Sequence, residues 1–539
     1  MNLTAYGNEN IILNGNPKKT FFRATYNKYT NFGLQRFRID YEGNRTLNYN
    51  SPTEFVFKIP RYAELLHDTY ISIQLPDIWS PVKILDTPIQ GNILIPYEFK
   101  WIEELGAHMI QNIEIFSGGV TLANYPGEYL SCLKERDFSA EKKELWNKMC
   151  GNIPELYDPA NANGNINVYP NAMYIDQTGV EPSIRGRRLY IPLDAFFCNS
   201  SKFSIPLVAL QYQEISIKIT FNAVSNLYTI NDVDNVVDAT GLSYRMAPNP
   251  NNLDHQMWRF IQPPSDVKAS LSSYNQTRND WNADIHLVGT YIFLGQDERR
   301  VLAQNEHKIL IKQVLSYDFL GVVGSKIIDI ESKDLIVNYM WRFRRSDAFL
   351  RNEWSNYTNW AYNNVLPQNI TSDLPFNEGV EISNPNTLHI TGSMGEYSYN
   401  VKDIMLDMGI VMGGVYRENV MEAGVFNLVE KYNRTNGNAK DGLYCYNFCL
   451  TTGKDEIQPS GAMNVNRFPY VSFEFNTINA PIDKEGTQVD YICDENGNPI
   501  AFRKNVAKLN TYSYDLRVFE ERYNVLIISS GRLGLLRAR

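Results

Sequence analysis

Apolar and polar residues alternate in many short segments of this 539-residue chain, and turn residues separate the segments. In the segment TEFVFKIPR (53–61), the apolar residues Phe55, Phe57 and Ile59 share one face of a predicted strand, because successive side chains of a strand point to opposite faces. The segment 205–221 ends in ISIKITF, which has the same period. Strands with one apolar face are typical of antiparallel sheets that cover a core on one side.

Similar patterns predict strands in both halves of the chain. Residues 109–130 predict a hairpin with Gly118 and Gly119 at its turn. Aromatic residues make up 13% of the chain, and together with frequent β-branched residues they favour strands over helices. The remaining predicted strands cover residues 285–294, 308–317, 335–343, 442–450, 470–475 and 524–529.

Helical and irregular segments complete the pattern. Residues 139–149 predict a helix that Ser139 caps. Residues 151–188 and 344–385 predict long loops. Between 223 and 282 the alternation gives way to Asn, Asp, Pro and Ser, and we place the connection between two domains there. Two domains are expected because a chain of this length exceeds what one core normally supports.

Seven segments are informative through their order and spacing along the chain. They are GNPKKTFFRATYNKYTNFG (15–33), NIEIFSGGVTLANYPGEYL (112–130), LVALQYQEISIKITF (207–221), DERRVLAQNEHKILIKQV (297–314), WSNYTNW (354–360), QPSGAMNVNRF (458–468) and YNVLIISSGRLGL (523–535). The two most informative, 15–33 and 458–468, lie at opposite ends of the chain. Taken together, the seven segments resemble the major capsid proteins of large icosahedral double-stranded DNA viruses.

The resemblance implies an all-β fold of two tandem antiparallel eight-stranded jelly-roll β-sandwiches, with long loop insertions and a few short helices. Strand order comes from the resemblance, since alternation alone does not define it. The implied division is an N-terminal arm (1–25), a first jelly roll (26–222), a connecting segment (223–282) and a second jelly roll (283–539). The arm is expected to be polar and unpatterned and to contact neighbours or minor proteins under the shell.

The function implied by the resemblance is structural. The chain is expected to form homotrimers that act as pseudo-hexagonal capsomers and tile the shell of a virion assembled in the host cytoplasm. The implied partners are neighbouring capsomers, minor capsid and penton proteins, and an inner membrane beneath the shell. The family segments supply the candidate assembly residues Asn16, Pro17, Phe21, Phe22, Asn31, Phe32, Asp297, Arg299, Arg300, Gln458, Pro459, Ser460 and Gly461. We expect Asp297 to Arg300 to form a charged cluster at a strand end, and Gln458 to Gly461 to form a turn that begins a strand.

Net charge and hydropathy limit the partners. The formal net charge of −9 argues against sequence-specific nucleic-acid binding, which needs clustered Lys and Arg. The short basic tract from Arg342 to Arg345 is interpreted as a solvated loop or subunit contact. The N-terminus lacks the pattern of a signal peptide, and no window approaches the length of a membrane span, so we expect synthesis in the cytosol.

Residues that could carry chemistry are sparse, and we predict no catalytic, metal or cofactor site. The six histidines are scattered without ligand spacing, and no phosphate-binding or nucleophile motif is present. Cys445 and Cys449 are predicted to be buried reduced thiols on the same side of a strand. Asp232 and Asp234 could bind a cation but are better explained as solvated loop residues.

Two alternatives remain open from the sequence. A carbohydrate-active β-sandwich, either a lectin or a glycoside hydrolase, would suit the aromatic content, and its carboxylates could come from distant strands. Against it, the eight tryptophans do not cluster with carboxylates in the sequence. A minor capsid or spike component would differ from the main interpretation mostly in copy number.

Overall fold

The computed structural model of the chain is organised as two β-sandwiches with a helix-rich layer between them. The residues that it describes are 7–24, 26–43, 46–87, 91–174, 179–236, 243–264, 274–361, 401–453, 458–478, 490–493, 499–503 and 512–537. Residues 362–385 of the predicted loop at 344–385, and residues 1–6 of the predicted arm, lie outside this part of the chain.

Strands account for most of the regular structure. In chain order they are β1 Phe32–Ile39, β2 Thr53–Lys58, β3 Leu65–Gln74, β4 Val82–Thr87, β5 Gly91–Pro96, β6 Lys100–Trp101, β7 Ile110–Ser117, β8 Val120–Tyr125, β9 Met173–Tyr174, β10 Val180–Glu181, β11 Arg188–Pro192, β12 Ile205–Pro206, β13 Ile215–Phe221, β14 Tyr228–Val236, β15 Ser243–Met246, β16 His286–Leu294, β17 His307–Val322, β18 Ser325–Ile330, β19 Leu335–Arg345, β20 Met405–Met412, β21 Val415–Glu422, β22 Leu443–Asn447, β23 Met463–Asn464, β24 Val471–Thr477, β25 Asp490–Cys493, β26 Pro499–Arg503, β27 Tyr514–Ser529 and β28 Arg532–Leu535.

Helices are short. The α-helices are α1 Asn8–Asn14, α2 Leu105–Met109, α3 Gly127–Asp137, α4 Ala140–Cys150, α5 Pro154–Tyr157, α6 Gln296–Gln304 and α7 Glu430–Arg434. A π-helical turn covers Val425–Val429, and 3-10 turns cover Pro159–Asn161, Phe196–Cys198, Ser201–Phe203, Leu207–Ala209, Val224–Asn226, Leu253–His255, Met257–Arg259, Ala348–Leu350 and Val465–Arg467. Within the described residues, no helix is long and apolar enough to span a bilayer.

Each sandwich consists of two four-stranded antiparallel sheets. In the first sandwich the strand orders are β1-β16-β3-β11 and β2-β13-β7-β8. In the second they are β17-β27-β19-β22 and β18-β24-β20-β21. The short strands β12, β23 and β28 pair with β3, β19 and β27, respectively. The prediction of two eight-stranded antiparallel sandwiches is confirmed.

Alternating burial explains why these segments form strands. In β2, Phe55 and Phe57 are fully buried, whereas Glu54 and Lys58 are exposed. In β13 the four residues from Ile215 to Phe221 that were predicted to face inward are buried, and the residues between them are half-buried. The predicted hairpin is present as β7 and β8, joined by Gly118 and Gly119, both at positive φ.

The predicted helix at 139–149 is also confirmed. α4 begins directly after Ser139, whose side chain accepts a hydrogen bond from the Lys142 backbone amide, as an N-cap residue does. It ends at Gly151, which takes the left-handed conformation that favours glycine.

The division between the domains differs from the prediction. β16 was assigned to a second domain starting at residue 283, but it lies between β1 and β3 in the first sandwich, with Phe32 opposite Leu294 and Leu287 opposite Ile71. Burial explains the placement, because Leu287 is fully buried in the core that β3 also covers. The first sandwich therefore extends to Leu294, and α6 connects it to β17 of the second.

Two further expectations were wrong. Asp232 was interpreted as a solvated loop residue but belongs to β14, where Tyr228, Ile230 and Val233 are fully buried. The side chain of Asp234 lies outside the described residues. The tract Arg342 to Arg345 is neither a loop nor solvated, since it ends β19. Glu128 pairs with Arg342 and Arg344, and the neighbouring Asp347 pairs with Arg345.

Candidate functional site

Helix α3 lies between the two sandwiches and forms the centre of the contact between them. We call this contact the joint. All eleven of its residues are buried, including five charged side chains. The helix starts against neighbouring backbone at Gly127, where an added Cβ would lie 2.2 Å from the Ala107 carbonyl oxygen and 2.3 Å from that of Ile110. Only glycine fits so close an approach. The sequence thus folds a charged helix into the interior, where each charge needs a partner.

Glu128 of α3 binds arginines from two strands of the second sandwich. Its two carboxylate oxygens accept hydrogen bonds from Arg342 Nε and Nη2 at 2.7 and 2.9 Å, a bidentate pair. Arg517 Nη1 donates to the same carboxylate at 2.6 Å. Burial alone would raise the pKa of Glu128, but the nearby guanidinium groups of Arg342, Arg344 and Arg517 outweigh it and hold the pKa well below its usual value.

Arg136, at the other end of α3, reaches the same sheet of the second sandwich. Its Nη2 lies 2.8 Å from Glu521 Oε1 on β27, and its Nη1 donates to Asn338 Oδ1 on β19 at 3.0 Å. Glu521 also accepts hydrogen bonds from Tyr129 and Asn338. Burial raises the pKa of Glu521, but the charges of Arg136 and Lys312 outweigh this and lower it to about 2.

A loop of the second sandwich completes the joint by backbone contact. The amide of Gly437 donates to the Arg136 carbonyl oxygen at 2.8 Å. A Cβ at Gly437 would lie 2.3 to 2.5 Å from the backbone of Glu135 and Arg136. From the same loop, Gly442 packs against Tyr357, whose hydroxyl lies 3.7 Å from Cys132 Sγ on α3. These contacts fix where the loop lies on the helix.

The joint pairs charges and holds two domains in one orientation. The carboxylates of Glu128 and Glu521 are saturated by arginine, amide and hydroxyl donors, so neither is available as a general base. Within the described residues, no group of His, Cys, Asp and Glu side chains could hold a metal ion. The arrangement is therefore suited to rigidity.

Sequence patterns did not predict this joint. The basic tract was noticed, but its partner Glu128 lies over 200 residues away in the sequence. One usable signal was present: Asn338 and Arg342 interrupt an otherwise apolar strand, and buried polar residues in a strand require partners.

The predicted assembly residues of the first segment lie on the exposed N-terminal arm. Phe21 and Phe22 are 89% and 100% exposed, and Asn16, Pro17 and Asn31 are exposed as well. Phe32 begins β1 opposite Leu294 and is half exposed. The arm was expected to be polar and unpatterned, but it contains the short helix α1 and a series of exposed apolar side chains.

The charged cluster Asp297, Arg299 and Arg300 lies on a helix, α6, and not at a strand end as predicted. Acidic residues in its first turn suit the positive end of the helix dipole, which explains why DERR begins a helix. Arg299 Nε lies 3.4 Å from Glu64 of the first sandwich. The end of the arm and α6 are neighbours, since Gly295 precedes the helix beside Asn31.

The predicted turn Gln458 to Gly461 leads into the two-residue strand β23. Ser460 Oγ donates to the Thr451 carbonyl oxygen at 3.0 Å and accepts from the Thr451 amide at 3.2 Å. Gly461 has a positive φ, and a Cβ there would lie 2.9 Å from the Phe448 carbonyl oxygen. These contacts thus hold a loop of the second sandwich in place. Pro459 lies in the same loop.

The two predicted thiols and His108 are buried in the protein interior. Cys445 and Cys449 are buried, as predicted, and burial raises the pKa of the Cys445 thiol to about 11. The prediction that both lie on one strand was wrong, because β22 ends at Asn447. His108 is buried beneath α3, and burial lowers its pKa to about 3, so the ring is neutral at pH 7.

Comparison with known proteins gives a consistent result for both halves of the chain. A family model described as the N-terminus of major capsid proteins matches residues 20–254, and one described as the major capsid protein of large eukaryotic DNA viruses matches residues 298–534. The major capsid protein of Phaeocystis pouchetii virus is 24% identical over 99% of this chain and 98% of its own length. That of Paramecium bursaria Chlorella virus 1 is 24% identical with the same coverage.

Solved structures agree on the fold. A capsid protein chain in the quasi-atomic model of the PBCV-1 virus capsid aligns with a TM-score of 0.60 at 18% identity, covering 96% of this chain and all of that one. The Faustovirus major capsid protein aligns with a TM-score of 0.58 at 13% identity, covering 95% and 93% of the two chains. The predicted fold of two jelly rolls in one chain is confirmed.

Proposed function

The chain belongs to the family of major capsid proteins of large eukaryotic DNA viruses, and we propose that it acts as a homotrimer whose six sandwiches form one pseudo-hexagonal capsomer. The observation that carries the proposal is the joint on α3. Because Glu128 and Arg136 bind the second sandwich through buried ion pairs, the two sandwiches are presented as one rigid unit. Three such units supply six similar blocks around a threefold axis.

The proposed trimer contact is heterologous, so it closes at three copies and leaves other surfaces for neighbouring capsomers. One candidate contact surface is the edge strand β21, which pairs with β20 alone among the described strands. Val415 on β21 is 71% exposed, and Tyr416 and Val420 are 46% and 44% exposed. An exposed apolar edge strand is a site at which proteins associate.

The place of the protein in the virion follows from its relatives, which are capsid proteins. We place this chain in the capsid shell and propose that it is synthesised and assembled in the host cytoplasm. Its further partners under this proposal are minor capsid proteins, penton proteins and an inner membrane beneath the shell. Sequence-specific nucleic-acid binding is not part of the proposal, because the net charge is −9.

We further propose that the protein has no enzymatic role. The relatives are structural proteins, and the buried carboxylates of the joint are saturated by arginine, amide and hydroxyl donors. The carbohydrate-active alternative has no support from the family to which the chain belongs.

Native mass tests the trimer directly. The purified chain should run close to 186 kDa, three times its mass of 62.0 kDa, by light scattering or native mass spectrometry. A folded 62.0 kDa monomer, obtained after co-expression with any assembly chaperone, would contradict the proposal. Replacing Val415 and Val420 by Asp should shift the mass toward monomer if β21 lies in the trimer contact, because buried unpaired carboxylates are costly.

A further inference from the structure

We propose that the N-terminal arm, taken from here on together with the extended segment that joins it to β1 (described residues 7–24 and 26–31), binds the surface of an anionic lipid bilayer. The inference rests on the proposed function, since it requires a shell assembled over a membrane. It assigns the arm one partner, a layer of negatively charged lipid headgroups. Exposure, charge and the place where the arm leaves the molecule support it independently.

Large apolar side chains of the arm face solvent. They fall in two groups: one on α1, and one in the following extended segment. Their exposed fractions are 70% for Ile11, 82% for Ile12, 77% for Leu13, 89% for Phe21, 100% for Phe22, 88% for Tyr26 and 85% for Tyr29. A concentration of exposed apolar groups of this kind marks a surface that becomes covered when the protein meets its partner.

The charge of the arm is opposite to that of the whole chain. Lys18, Lys19, Arg23 and Lys28 lie within eleven residues, whereas Glu9 is the single acidic residue between positions 7 and 31. The chain as a whole has a formal net charge of −9. An anionic bilayer therefore repels the bulk of the protein and attracts the arm, which selects one orientation of approach.

The order of residues favours lipid over a folded protein partner. Cations and aromatic rings are interleaved in KKTFFRATYNKY, and Lys19 Nζ lies 5.6 Å from the centre of the Phe21 ring. At a bilayer surface, aromatic rings lie at the headgroup level while Lys and Arg reach phosphates. The interleaving follows neither the strand nor the helix period that docking into a groove or onto a sheet edge requires.

The arm leaves the molecule at the same end as the C-terminus. Phe32 lies opposite Leu294, and α6 follows at once and leads to His307, which lies opposite Ile528. The last hairpin then turns back at Gly531, whose carbonyl oxygen accepts a hydrogen bond from the Tyr212 amide. This end, which we call the terminal end, also carries exposed Arg300 and Arg532. Exposed Asp297 and Glu306 lie at this end as well, so the attraction to anionic lipid comes from the cations of the arm.

Vesicle flotation with the purified full-length protein tests the proposal. Vesicles of phosphatidylcholine with about 30% phosphatidylserine should carry the protein upward at low salt, and vesicles of phosphatidylcholine alone should not. The charge variant Lys18→Glu/Lys19→Glu and the aromatic variant Phe21→Ser/Phe22→Ser should each lower the bound fraction roughly tenfold. Both pairs are exposed on the arm, so both variants should keep the native mass and thermal unfolding of the parent.

A matched control is Tyr432→Ser, which removes an aromatic side chain that is 90% exposed on the second sandwich and should leave flotation unchanged. The proposal is overturned if the parent protein does not float with anionic vesicles, or if the arm variants float as well as the parent. It is also overturned if the variants change the native mass without lipid, since the arm then binds another copy of the chain.

Failure of this inference and failure of the proposed capsomer are distinguishable. A trimer that ignores anionic vesicles contradicts the lipid inference alone. A monomer that floats through its arm supports the lipid inference and contradicts the capsomer.

Discussion

Glu128 belongs to the first sandwich, yet its hydrogen-bonding partners Arg342 and Arg517 belong to the second. This carboxylate is 5% exposed and lies among three guanidinium groups. Buried pairs of this kind gain little over apolar packing, but removal of one member leaves an uncompensated charge in the interior. Its role is thus to make the orientation of the two sandwiches specific.

Glu128→Gln should destabilise the protein by about 3 to 5 kcal/mol, because it leaves buried Arg342 without its counter-charge. Denaturant unfolding followed by tryptophan fluorescence measures the change. Glu141→Gln is the matched control, since Glu141 lies exposed on α4 and should change the free energy of unfolding by less than about 0.5 kcal/mol. Equal effects of the two substitutions would show that the joint does not stabilise the fold.

The depressed pKa of Glu521 predicts acid sensitivity. Its pKa is about 2 in the folded protein against 4.5 for an ordinary glutamate, so its stabilising contribution is complete above pH 4.5 and is lost as the pH falls toward about 2. Urea unfolding between these two pH values should show stability decreasing with acidity. Glu521→Gln should reduce that slope, and an unchanged slope would assign the acid sensitivity to other carboxylates.

At the scale of elements, the joint depends on how closely one loop approaches one helix. Gly437 touches α3 so tightly that a methyl group would lie within 2.5 Å of three backbone atoms. Backbone atoms cannot rotate away as a flexible side chain can, so the loop itself must shift. The loop position is therefore coupled to the position of α3.

Gly437→Ala should cost about 1 to 3 kcal/mol, because overpacking at a backbone contact forces a shift. Gly424→Ala is the matched control, since a Cβ there meets no atom within 4 Å and φ is negative. Thermal unfolding of both variants measures the difference. If the Gly437→Ala variant has the same unfolding temperature as the parent protein, the loop adapts without strain and the contact does not define the joint.

Strands in which apolar and polar residues alternate were predictable from the sequence. Elements whose position is determined by tertiary contacts were not. β2 and β13 bury alternate residues, so both strands were predicted, although the predicted segment 205–221 begins ten residues before β13 does. α3 lacks an apolar stripe because it is buried on all sides and charged, and the sequence therefore indicated no helix there. The residues of α6 were predicted to lie at a strand end. None of them is buried, so the sequence lacks the apolar pattern that would have indicated a helix.

At the scale of the whole molecule, the number and type of domains could be predicted, but the boundary between them could not. β16 has the apolar pattern of a core strand, and such a pattern fits either sandwich. Its place is decided by pairing with β1 and β3, more than 200 residues earlier in the chain. The resemblance to a family supplied the strand order that periodicity leaves open, and it supplied the expectation of a trimer, which stays a prediction. The candidate residues for assembly, apart from the arm and α6, do not meet in one place.

The two long strands β17 and β27 run side by side from the terminal end of the molecule to its far end. β17 has 16 residues, so the turn at Val322 to Ser325 lies roughly 50 Å from His307. A peptide grafted into that turn and one grafted beside His307 would therefore lie at opposite ends of this strand pair. The chain thus offers two attachment positions that the length of these strands keeps apart, so that a group joined at one position does not contact a group joined at the other.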